Sequence, residues 1–69
     1  MIYQVIECIE TTQMSNSSFS QLSDAEECFK NRILKEENGD IPDELLEDAI
    51  KNADYYNQHG YQITIQLKL

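Results

Sequence analysis

Residues 61–69 read Tyr-Gln-Ile-Thr-Ile-Gln-Leu-Lys-Leu, apolar and polar in strict alternation. A strand turns successive side chains to opposite faces, so Tyr61, Ile63, Ile65, Leu67 and Leu69 share one side, and Gln62, Thr64, Gln66 and Lys68 share the other. This is the pattern of a strand with one buried and one solvated face. A buried face needs a cover, and the residues upstream supply two amphipathic helices.

The nearer helix is expected to start around Asp40-Ile41-Pro42, because proline fits a helix's first turn, where the N–H it lacks has no partner anyway. Leu45, Leu46, Ala49, Ile50 and Ala53 then fall on one side at the helical period, and Asp40, Asp43, Glu44, Glu47, Asp48 and Asp54 on the other. The helix is expected to run to Gly60, with Tyr55 and Tyr56 in its last turns and His59 near its negative end. The farther helix is expected from Ser23, where Ser23-Asp24-Ala25-Glu26 has the form of a capping box. Ala25, Cys28, Phe29 and Ile33 make its apolar face, and Gly39 is its stop.

Residues 2–11 read as the other strand, carried by Ile2, Tyr3, Val5, Ile6 and Ile9. Its alternation is impure: Ile2, Ile6 and Cys8 point one way, and Tyr3, Val5 and Ile9 the other. Residues 12–22 are rich in Ser and Thr and read as a long connecting loop. The expected fold is therefore α+β, a single β-α-α-β domain over residues 1–69, with two antiparallel strands and a helical hairpin packed on one face. A two-stranded sheet is weak and leaves its edges open. Because the first strand is apolar on both faces, the sequence also points to a homodimer formed through Tyr3, Val5 and Ile9.

Composition narrows the function. Thirteen Asp and Glu face five Lys and Arg, for a net charge of −8. Phosphate contacts need Lys and Arg, so direct binding to nucleic acid or anionic lipid is not expected; attraction to a basic protein surface is. No stretch approaches the roughly 18 consecutive apolar residues of a membrane span, and residues 1–7 lack the basic and apolar regions of a secretion signal. The expectation is a cytoplasmic protein with no membrane contact. Cys8 and Cys28, with no C-x-x-C, read as buried thiols; a Cys8–Cys28 disulfide, or a zinc set completed by His59 and a carboxylate, are the alternatives. A calcium loop centred on Gly39 fails, because its first and last ligand positions would be Leu34 and Leu45. There is no G-x-S-x-G, H-E-x-x-H or glycine-rich phosphate loop, so neither an enzyme nor a cofactor nor a metal is expected.

What remains is the acidic run. From Glu36 to Asp48 there are seven acids (Glu36, Glu37, Asp40, Asp43, Glu44, Glu47, Asp48) and no base. On one continuous helix, Asp43 to Asp54 would cover about 16 Å. A row of carboxylates of that length could imitate a stretch of nucleic-acid backbone and enter a Lys- and Arg-lined channel on another protein. Tyr55 and Tyr56 beside it would serve as aromatic anchors. The expected partner-binding set is therefore those seven acids with Asp54, Tyr55 and Tyr56. In size, acidity and compactness the chain resembles the small acidic proteins that phages and other mobile elements encode to block host defence, such as anti-CRISPR and anti-restriction proteins. That resemblance implies an inhibitor of a basic, nucleic-acid-handling protein and assigns no residue a role. The competing expectation is a homodimeric structural or regulatory module.

Overall fold

A computed structural model describes residues 1–69. Its elements are β1 (Ile2–Ile9), β2 (Thr12–Phe19), α1 (Leu22–Glu36), α2 (Asp43–Asn52), β3 (Asp54–Tyr56) and β4 (Tyr61–Lys68). The strands form one antiparallel sheet in the order β2-β1-β4-β3. Both helices share a core with one face of it. The α+β class stands, with four strands where the sequence reading had two.

Both additional strands arise at positions where non-glycine residues take positive φ. Ile9 pairs with Thr12 across a two-residue loop, Glu10-Thr11, at φ 48° and 69°. Positive φ at both central residues marks a type I′ turn, whose twist matches that of the flanking strands. The segment expected as a loop is therefore strand β2 as far as Phe19. A register shift opposite Glu7 and Cys8 bulges β2 near the turn. Beyond it Ser15, Ser17 and Phe19 are half-buried, while Asn16 and Ser18 are exposed.

The second departure is in α2, which ends at Asn52 instead of running to Gly60. Ala53 takes φ 56°, and its carbonyl accepts the Ile65 amide at 3.0 Å. The chain passes from helix straight into sheet, and Asp54, Tyr55 and Tyr56 pair with Thr64, Ile63 and Gln62. His59 therefore lies in the β3–β4 turn and caps no helix. The Asn57 side-chain carbonyl organises that turn, accepting the His59 amide at 2.8 Å and the Tyr61 amide at 3.3 Å. Gly60 sits at φ +81°, where a Cβ would come within 2.9 Å of the Glu10 side chain, so the two turns of the sheet's end pack closely only with glycine there.

The ends of α1 also differ from expectation. Gln21 is its N-cap, without a side-chain cap bond, so Ser23 lies inside the first turn and no capping box forms. At the other end Asn38, at φ 54°, takes the left-handed position ahead of Gly39. The Gly39 amide reaches the Leu34 carbonyl at 2.8 Å and the Asn38 amide the Lys35 carbonyl at 3.3 Å, the two bonds of a Schellman motif.

The core joins Val5, Tyr55, Tyr61 and Ile63 of the sheet to Ala25, Phe29 and Ile33 of α1 and Leu46 and Ala49 of α2. Burial contributes about 1.5–3 kcal/mol for each large apolar side chain, against a total stability of roughly 3–10 kcal/mol for a chain of this length. Of the residues expected at a dimer contact, Val5 is 2% exposed and belongs to the core, Tyr3 is half-buried against it, and Ile9, at 37%, is exposed. The sheet face left without helices carries Ile2, Gln4, Ile6 and Cys8 of β1. Leu45, expected inside, is exposed. Cys8 and Cys28 are half-buried free thiols. No helix is long and apolar enough to cross a membrane.

Candidate functional site

Two groups of polar side chains stand out. One is built on β1. Glu7 pairs with Ser15 of β2 and Ile63 of β4, so it faces the helices two residues along from Val5. Its side chain is 14% exposed. A carboxylate this sheltered needs donors, and three reach it. Ser15 Oγ donates to Oε1 at 2.7 Å, Arg32 Nη1 donates to the same oxygen at 3.0 Å, and Tyr61 OH donates to Oε2 at 2.6 Å. Burial pushes the Glu7 pKa up, but the hydrogen bonds from Ser15 and Tyr61 and the charges of Arg32 and Lys35 outweigh it and hold the carboxyl below its ordinary value. Burial, then Glu7, raises the Tyr61 phenol far above its usual range. Arg32, the chain's only arginine, is raised first by Cys28 beside it and then by Glu7.

Glu7 is thus an ionised clamp that ties three strands to α1. Both of its oxygens are engaged, and its pKa lies on the wrong side for a proton donor near neutrality. Sequence reasoning passed over it, although a signal existed. Tyr3, Val5, Glu7 and Ile9 form a one-face series with a single acid in it, and the chain holds one arginine to meet that acid.

The other group lies at the β3 edge. An open depression of about 520 Å³ forms where the second half of α2 meets β3 and the β3–β4 turn. Glu37, Asp48 and Asp54 bring carboxylates to it, Tyr55 and Tyr56 bring rings, His59 brings an imidazole, and no lysine or arginine lines it. Tyr55 is buried, with its ring centroid 6.5 Å from that of Tyr61 at a 60° tilt. Burial, then the Glu37 charge, raises its phenol. Tyr56, 74% exposed, presents its ring to solvent. Asn57 Nδ2 donates to Glu37 at 2.8 Å and Gln62 Nε2 to Asp54 at 3.2 Å. Glu37 and Asp54 are thereby positioned, Asp48 makes no side-chain hydrogen bond, and all three keep acceptor capacity for a ligand.

The structure therefore brings together five of the ten residues expected to bind a partner: Glu37, Asp48, Asp54, Tyr55 and Tyr56. The other five lie outside the depression. Glu36 ends α1, Asp40 lies between the helices, Asp43 and Glu44 open α2, Glu47 follows one turn on, and all are exposed. Because Asp54 belongs to β3, the continuous helical row of about 16 Å does not exist. The helical acids stop at Asp48, about 7.5 Å from Asp43 along the axis. In its place is an acidic patch on α2 that runs through Asp48 into an aromatic depression. None of these acids forms an ion pair, the Glu7–Arg32 contact being the only salt bridge in the chain. Nowhere do three His, Cys, Asp or Glu side chains gather in a group able to hold a metal ion. Set against protein-family models, curated proteins and solved structures, the chain matches none.

Proposed function

We propose that the chain is a non-catalytic binding module that engages a basic surface on another protein through the α2 acids and the depression they lead into. The observation that carries this reading is the run of exposed, unpaired carboxylates, Asp43, Glu44, Glu47 and Asp48, ending at a depression that has aromatic rings and no lysine or arginine of its own. A lysine or arginine side chain from a partner would meet Glu37, Asp48 and Asp54 as charge-assisted acceptors. The exposed Tyr56 ring would add a cation–π contact of about 0.5–1 kcal/mol. Unpaired acids also steer a basic partner during encounter. In its finer form, the reading makes that partner a nucleic-acid-handling protein whose Lys- and Arg-rich surface is blocked, as an inhibitor carried by a mobile element would do. The recognition is by charge and an aromatic anchor at one edge, without a long helical imitation of a nucleic-acid backbone.

The test compares the wild-type chain with a D43N/E47Q/D48N/D54N variant as affinity baits in lysate of the native host, at low and high NaCl. Captured proteins are then challenged with duplex DNA. The expected result is a basic protein held by the wild type at low salt, released by high salt and by DNA, and absent from the variant. Equal capture by both baits at every salt concentration would falsify the reading.

A further inference from the structure

We propose that β2 is a pairing edge for a second copy of this chain, joined strand to strand so that two four-stranded sheets become one of eight. The sheet has two edges. β3 offers three residues and borders the acidic depression; β2 offers eight. Along such an edge, alternate backbone N–H and C=O groups point away from the sheet with only water to bind. Edges are ordinarily guarded by lysine, proline, an inward charge or a bulge. β2 has none of the first three, and from Thr11 to Ser23 the chain carries no charged residue at all, within a sequence of net charge −8. The bulge lies at the turn end, opposite Glu7 and Cys8, and leaves the stretch from Ser15 to Phe19 in regular register. Its side chains before Phe19 are small (Ser15, Asn16, Ser17 and Ser18), so a second backbone can approach.

Charge decides that the occupant is another copy. Two chains of the same strong negative charge can meet closely only where neither is charged, and β2 is that place. The α2 patch and the depression lie at the opposite edge, three strand spacings or about 14 Å away. In an eight-stranded sheet the two β3 edges would be seven spacings apart, about 34 Å, which is several Debye lengths at physiological salt. A basic partner, by contrast, is drawn to the acids and away from this edge. Antiparallel pairing about a two-fold axis is self-complementary, so the same uncharged strand serves both copies. The acids that flank the edge, Glu10 in its turn and Asp24 in the first turn of α1, repel across the join. Screening them strengthens association, the reverse of the salt dependence expected for a basic partner, so either proposal can fail without the other.

Sedimentation equilibrium of the full chain, from micromolar to millimolar protein in low and high NaCl, tests this. The expected mass rises toward twice the 8.0 kDa of one chain, at lower protein concentration when salt is added. An N16E/S18E variant, altered at two exposed edge positions, is expected to associate about a hundred-fold more weakly, because like charges then face each other across the join. Its far-UV spectrum is expected to be unchanged. Amide exchange in residues 15–19 of the wild type, independent of any variant, is expected to slow as concentration rises. A mass of one chain at every concentration overturns the proposal. So does a dimer that forms with no slowing of amide exchange in residues 15–19, which would put the contact on the open sheet face, where Asn16 and Ser18 lie beside Ile6 and Gln4.

Discussion

At Glu7, magnitudes decide which partner matters. Arg32 is 39% exposed, so its ion pair is screened by solvent and contributes at most about 1 kcal/mol. The bonds from Ser15 and Tyr61 lie deeper, and hydrogen bonds to a charged group contribute about 1.5–3 kcal/mol each. The folded chain holds the Glu7 pKa below its ordinary value of 4.5, so in the acid range the unfolded chain binds the proton more readily. The stability this provides is complete above 4.5 and is lost as pH falls through the lower folded value. Glu7→Gln keeps the shape and removes the charge. It is expected to lower stability at pH 7 by about 1–3 kcal/mol, and the difference from wild type is expected to shrink as pH falls from 4.5 through the lower folded value. Urea unfolding of both proteins at neutral pH and at successively lower pH measures this; a difference that stays constant with pH would show that the charge contributes nothing.

Elements whose faces are written in apolar period were legible in the sequence, and elements made by turn geometry were not. The alternation of residues 61–69 gave β4, although its sheltered face extends only from Tyr61 to Ile65 and Leu67 and Leu69 are exposed, and the spacing of Ala25, Phe29 and Ile33 gave the buried face of α1, where all three are fully buried. β2 was missed because its inward residues include Ser15 and Ser17, which carry no apolar signal, and because its turn is Glu10-Thr11 where Asn-Gly would have announced a hairpin. β3 was missed because Ala53 ends α2 in a left-handed conformation that glycine usually fills. The acids of the candidate site were visible, but their gathering with Tyr55 and Tyr56 depends on β3, so the groove was not. The same turns predict where the chain is strained. Thr11 is β-branched at φ 69°, a conformation that costs about 1–2 kcal/mol. Thr11→Gly is expected to raise stability by about 0.5–1 kcal/mol after the greater freedom of the unfolded chain is subtracted, and thermal denaturation checks it; a lower midpoint would mean the threonine is not strained. In α2, Asp43 and Glu47, and likewise Glu44 and Asp48, are like charges four residues apart, each pair costing about 0.2–0.5 kcal/mol. Asp48→Lys turns the second pair into the favourable Glu-before-Lys order and places a positive charge in the later half of the helix. It is expected to raise the melting midpoint slightly while abolishing capture of a basic partner; loss of both stability and capture would mean that Asp48 acts through the fold.

The whole molecule has a radius of gyration of 11.3 Å, and a compact chain of this length has about 11 Å. The single copy is therefore already condensed, and its charge is an opposing force, with thirteen acids against five bases and one ion pair. Such an excess of one sign works against the compact state by self-repulsion. The repulsion acts through solvent between exposed side chains, over distances that salt controls: the Debye length falls from about 30 Å at 0.01 M to about 8 Å at 0.15 M. The forces that hold the fold are of another kind. Apolar burial around Phe29 and Ile63 is insensitive to screening, and Glu7 is held by short hydrogen bonds in a sheltered position. Adding NaCl at pH 7 therefore removes more of what opposes folding than of what favours it. The melting midpoint of dilute protein is expected to rise between 0.01 and 0.15 M NaCl, and to rise less for D43N/E47Q/D48N/D54N, which has shed four of the repelling charges. Thermal unfolding by far-UV circular dichroism, at a concentration low enough to keep the chain monomeric, measures both. A wild-type midpoint that falls with salt would mean that surface attractions between opposite charges hold the fold together. The α2 acids would then be neutralised within the chain and not free for a partner.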